Sequence, residues 1–173
     1  MIFLLAIVLA QGACVTCHGE DGNSKTANIP SLAGQPDFFI LNQLFLMREG
    51  VRKIEVMTPY VKDLKDSDID TISKYFAGLP SKRSDETIDA DLVKRGAELA
   101  AKLRCTSCHL PTLTGRQQMP RLAGQRIDYL IRSLKEFRDN KRSGGDTQMS
   151  IAITGVSDAD LAALAHYAAS LGK

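Results

Sequence analysis

"CVTCHGEDGNS", residues 14–24, places two cysteines three apart with a histidine directly after the second. That pattern fits a zinc knuckle, a redox dithiol, part of a disulfide framework or a covalent haem attachment. A second copy, "CTSCH" at residues 105–109, follows 91 residues later, and the two copies use all 4 cysteines of the chain. A disulfide scaffold would scatter its cysteines, and 173 residues is long for that class. A closed zinc site needs four ligands. Each copy supplies two Cys and one His, and His166 is the sole remaining histidine, enough for one half at most. A thioredoxin-like dithiol wants a strand before the motif and a βαβ surround, and neither is written here.

Haem attachment explains the spacing. Residues three apart lie on one side of a helical turn, so two thiols can add to two vinyl groups along one porphyrin edge. The next residue, histidine, then reaches iron from below. On this reading Cys14, Cys17, Cys105 and Cys108 hold two covalent haem c groups, with His18 and His109 as axial ligands.

The rest of the chain repeats as well. "NIPSLAGQP" around Pro30 matches "QMPRLAGQR" around Pro120, an offset of 90. "DSDIDTISKYFAGL" from Asp66 matches "DADLAALAHYAASL" from Asp158, with Tyr75 and Tyr167 offset by 92. Two similar domains follow, residues 1–80 and 91–173, with 81–90 as linker; the join falls in "LPSKRSDETID", residues 79–89, which is polar, charged and proline-bearing. Each is small enough to need a staple, which a buried covalent cofactor provides.

The periodicity in each half is helical, with no alternating strand pattern. Phe38, Leu41, Leu44 and Phe45 share a face behind Pro36, which suits a first turn. Ile127, Leu130, Ile131, Leu134 and Phe137 repeat it. Ile69, Ile72, Tyr75 and Phe76 form a later helix capped by Asp66 or Ser67. Leu161, Leu164, Ala165, Ala168 and Leu171 match it, capped from Ser157 or Asp158. Residues 91–104 form a helix into Cys105. The fold class is all-α.

Iron bound by one histidine needs a sixth ligand or an open face. Met57 lies 39 residues after His18 and Met149 lies 40 after His109. Each precedes its Asp-x-Asp helix start by nine residues, and this register selects them as ligands. Met47 and Met119 face Phe137 and Ile29 in the repeat and read as packing. His/Met ligation raises the reduction potential and fills the face a substrate would need, which favours electron transfer over catalysis at iron. Arg52 and Arg142 hold matched positions and read equally as solvated surface or as partners of haem propionates. His166 reads as packing, and the Asp-x-Asp pairs as helix-start charges.

Composition sets outer limits. Apolar residues make up 44% of the chain, Trp is absent, and no apolar run reaches a membrane span. Residues 1–80 carry 7 Lys+Arg against 9 Asp+Glu, and residues 81–173 carry 15 against 11. This is ordinary scatter or a dipole that orients the molecule at a charged partner. No basic cluster points to nucleic acid. "MIFLLAIVLA", residues 1–10, fits a signal peptide, an apolar first helix that stays on the domain, or an anchor.

Taken together, "CHGEDGNS", "IPSLAGQ", "QLFLMREGVR", "LKDSDIDTISKYF" and their second-half counterparts resemble the class I c-type cytochromes, and more closely the dihaem c4-type cytochromes. The resemblance covers about residues 13–173. It implies two tandem class I cytochrome c domains and a non-enzymatic periplasmic electron carrier, soluble or associated with the membrane surface. It implies redox partners: quinol–cytochrome c reductase on the donor side and a haem–copper oxidase on the acceptor side. The alternative reading is a haem subunit of a dehydrogenase, which would then be the partner. The resemblance also implies that the Pro30 and Pro120 carbonyls orient the axial histidines. It implies a helix before each C-x-x-C-H, with Gly96 placed for a close helix crossing in the second domain; in the first this chain has only its apolar start, with Leu5 where that glycine would be.

Overall fold

The computed structural model describes residues 12–172, so the readings of residues 1–10 and of Leu5 lie outside the described residues. The described chain is helical, and its single extended pairing is an isolated bridge between Arg116 and Met119. Residues 12–18 are helical (α1). Then come α2 (Asp37–Arg48), α3 (Thr58–Val61) and α4 (Asp66–Gly78), followed by α5 (Ala90–Lys102), α6 (Thr106–His109), α7 (Ile127–Arg138), α8 (Thr147–Ala152) and α9 (Asp158–Ser170). α2 packs on α4, and its counterpart α7 packs on α9, which also packs on α5.

Local chemistry sets the helix ends. Asp89 Oδ1 accepts the N–H groups of Asp91 and Leu92 and starts α5. Ser157 Oγ accepts the Asp160 N–H and starts α9. Such caps satisfy donors that the helix itself leaves unpaired. At α4 the cap is Lys65, not Asp66 or Ser67. The Asp68 carboxylate reaches back to the Lys65 N–H at 2.9 Å, while Asp66 is drawn to Arg48 at 2.7 Å. The matched pair Arg138–Asp158, at 2.5 Å, ties α7 to α9 in the same way. α5 ends at Lys102, short of residue 104, because Arg104 turns left-handed (φ 57°) and the Cys105 N–H returns to the Ala100 carbonyl.

The core of the first half is Ile40, Leu44, Val61, Ile69, Ile72 and Phe76. This corrects part of the expected face of α2. Leu44 points inward as expected and Ile40 joins it, while Phe38 and Phe45 are 51% and 43% exposed. The helix is apolar on nearly every side, so periodicity alone could not choose its buried stripe. The second half builds one cluster from Ala123, Ile127, Leu130, Ala165 and Ala168, and another from Ala100, Leu161 and Leu164. Leu171, grouped with this face by its spacing, is 37% exposed beyond the end of α9. A Cβ on Gly96 would lie 2.1 Å from the Ala163 carbonyl oxygen, so α5 and α9 cross where only glycine fits.

The halves meet through reciprocal side-chain clasps. Gln125 accepts the Ser31 N–H at 2.8 Å and donates to the Ser31 carbonyl at 2.9 Å. Gln35 does the same to Arg121, at 3.0 and 2.8 Å. Both glutamines are buried, so losing either would strand buried backbone groups at a cost of about 1–3 kcal/mol. The segment between α4 and α5 runs along both halves. Lys82 donates its N–H to Asn23 and pairs with Asp21, while Glu86 accepts the N–H groups of Ile127 and Asp128. Buried Arg126 pairs with Asp128, Asp85 and Glu86 beneath this strap.

Candidate haem sites

Cys14, Cys17 and His18 fall on the single helical stretch of α1. In the second half Cys105 caps α6, and Cys108 and His109 lie within it. In both halves the chain leaves the histidine by a left-handed residue, Gly19 (φ 90°) or Leu110 (φ 69°, ψ 161°). The following loop then closes on itself. Leu32 and Ala33 donate to the Gly22 carbonyl, and Leu122 and Ala123 donate to that of Leu113. This closure brings each proline beneath its histidine.

The two histidines are buried. His18 Nδ1 lies 2.8 Å from the Pro30 carbonyl oxygen, and His109 Nδ1 lies 3.0 Å from that of Pro120. A carbonyl only accepts, so each Nδ1 carries the proton and each Nε2 keeps its lone pair. Burial lowers both imidazole pKa values more than the proline bonds raise them, which holds the rings neutral. A neutral imidazole with a fixed tautomer is a ready metal ligand. Burial pushes the Cys14 and Cys105 thiols up, the wrong direction for a thiolate zinc ligand or a reactive dithiol.

Met57 and Cys14 pack against the same apolar cluster in the first half, as does Met47. Met57 caps the short α3, whereas Met149 is the third residue of α8, so matched sequence register hides different local backbones. Met149 is half-buried, and Cys105 packs against the Ala100 cluster. His166 accepts the Asp89 N–H at 3.1 Å and so anchors the start of α5. No group of three or more His, Cys, Asp or Glu that could hold a metal ion gathers among the described residues.

Arg52 and Arg142 are not solvated arginines. Arg52 is buried and donates to the neutral Gln43 amide, and Arg142 donates to Ser133 at 2.9 Å and pairs with Glu136. Burial lowers the Arg52 pKa, and Arg142 and Tyr129 are among the charges and dipoles it feels. Two cations thus meet across the halves beside Tyr129. Burial raises the Tyr129 phenol, but Arg52 and Arg142 outweigh it and bring its pKa to about 8.

These residues fit a covalently held haem: paired thiols on one turn, a neutral imidazole with its outer nitrogen free, and cations for carboxylates. Motif reading missed the two clasping glutamines and Tyr129. The signal for the glutamines was present, since "LAGQ" recurs in both halves at one offset.

The fold and the paired thiol–histidine turns define a c-type cytochrome, and the Cytochrome c family model matches residues 93–172. The cytochrome c4 of Pseudomonas aeruginosa is 36% identical over 89% of this chain and 81% of its own length. The crystal structure of reduced recombinant cytochrome c4 from Pseudomonas stutzeri superposes with a TM-score of 0.85 at 33% identity, covering 94% of this chain and 96% of that one. The thiosulfate dehydrogenase electron acceptor of Stutzerimonas stutzeri is 31% identical over 95% of this chain and 81% of its own.

The chain belongs to the cytochrome c4 family. It is a dihaem c-type electron carrier rather than an enzyme, with two covalently bound haem c groups and two class I cytochrome c domains.

Proposed function

We propose that Cys14 and Cys17 bind one haem, ligated by His18 and Met57, and that Cys105 and Cys108 bind the other, ligated by His109 and Met149. Residues 1–80 and 91–173 form the two domains and 81–90 the link. The haem supplies a one-electron Fe(III)/Fe(II) couple when bound. The chain's residues do the rest. Pro30 and Pro120 hold the imidazoles in one tautomer and orientation, and Met57 and Met149 offer soft thioethers that favour the reduced metal. Arg52 and Arg142 offer buried donors to its carboxylates. Rigid ligands in an apolar setting leave little to reorganise as charge changes. The observation that carries this reading is the histidine pinned through Nδ1 beside paired thiols, built twice.

On this reading the protein works in the periplasm, soluble or at the membrane surface, passing single electrons from a quinol-oxidising complex to a terminal oxidase. A second reading, an electron-transfer subunit for a periplasmic dehydrogenase, is favoured by the similarity to a thiosulfate dehydrogenase electron acceptor. Stopped-flow reduction separates them. Fast reduction by a quinol–cytochrome c reductase supports the first, and reduction only by a thiosulfate-oxidising enzyme supports the second. Replacing Cys14 and Cys17 with alanine should remove one of two covalent haems, and retention of both would defeat the assignment.

A further inference from the structure

Each histidine-supporting carbonyl shares its peptide group with an N–H that the other half holds. The Pro30 carbonyl accepts His18 Nδ1–H at 2.8 Å. The N–H of that same peptide belongs to Ser31, and it donates to Gln125 Oε1 at 2.8 Å. In the second half the Pro120 carbonyl accepts His109 Nδ1–H at 3.0 Å, and the N–H of that peptide, from Arg121, donates to Gln35 Oε1 at 3.0 Å. The glutamine NH₂ groups close each ring by donating to the Ser31 and Arg121 carbonyls. Each glutamine backbone is held within its own half, because the Gly34 N–H donates to Phe76 and the Gly124 N–H donates to Ala168.

We propose that Gln35 and Gln125 are crossed positioning residues: each tunes the axial histidine of the opposite half through one polarised peptide. An amide that donates through its N–H becomes a better acceptor at its oxygen. A better acceptor draws the Nδ1 proton and makes Nε2 a stronger donor to the metal. A stronger donor favours the oxidised metal. Gln125 therefore lowers the potential set through His18, and Gln35 lowers the one set through His109. Both clasps are buried, where water competes least for these bonds. The device needs both halves, so the tuning exists only in the docked pair.

The inference rests on His18 and His109 being the axial ligands. The test is a redox titration of the full-length holoprotein and of Gln125→Leu and Gln35→Leu. The two haems are followed separately by their methyl resonances, assigned with Met149→Ala. Gln125→Leu should raise the potential of the His18 haem more than that of the His109 haem, and Gln35→Leu should do the reverse. Gln125→Glu, which keeps the accepting oxygen on a chain of equal length, should not raise the His18 potential. It carries the test if leucine is not tolerated. Equal shifts in both haems, no shift, or a shift confined to the substituted half would overturn the coupling. Loss of imidazole ligation signals in the unaltered protein would defeat the ligand assignment instead.

Discussion

Met149 lies third in a six-residue helix that contributes no buried residue to the core. Met149→Ala should leave the haem attached through Cys105 and Cys108 and lower its potential, read by redox titration. An unchanged potential would show another sixth ligand. Leu110 occupies a backbone region that is almost confined to glycine, and its counterpart in the first half is Gly19. Such a conformation stores about 1–3 kcal/mol. Leu110→Gly should therefore stabilise the protein by about 1 kcal/mol in denaturant unfolding, after the added chain entropy is set against the relief. Tyr129 ionises at about 8, below the ordinary phenol value of about 10. The folded state releases this proton first, so the contribution to stability grows as pH rises from about 8 to about 10 and is lost as pH falls through 8. Arg52→Gln removes the largest lowering influence and should move that titration upward, read by NMR of labelled tyrosine.

Among elements, the α5–α9 crossing is the tightest point, with Ala163 and Tyr167 both against Gly96. Gly96→Val should cost about 3 kcal/mol in thermal or denaturant unfolding, because overpacking forces the helices apart. This crossing was expected from the family resemblance, and the close approach of the Ala163 carbonyl bears it out. The long helices were legible in the sequence, because the two halves report the same pattern twice, whereas the short α3 and α8 carry too few residues to show a period. The buried stripe of α2 was not. Apolar residues at 38 to 41 and 44 to 47 surround that helix, and only contact with α4 selects Ile40 and Leu44. The α4 cap was misplaced by one residue because Asp66 looks like a cap but serves Arg48.

For the whole molecule, the attachment motifs could be named from spacing, and the resemblance supplied Pro30 and Pro120, whose carbonyls lie against His18 and His109; the matched register of Met57 and Met149 is what proposes them as ligands. The docking of the halves could not be read from spacing. Gln35 meets Arg121 and Gln125 meets Ser31 across 86 and 94 residues, and such pairs leave no local period to read. Arg52 looked ambiguous for the same reason, since the groups it faces, Tyr129 and Arg142, belong to the opposite half. On the proposed function, two covalent haems, each with histidine and methionine ligands, serve a one-electron carrier. An optical redox titration of holoprotein from an export- and haem-maturation-competent host, with haem counted per chain, tests it most directly. Two haems, both with the methionine–Fe(III) long-wavelength band and both at high potential, are the predicted result. One haem without that band, or titrating far lower, would contradict it.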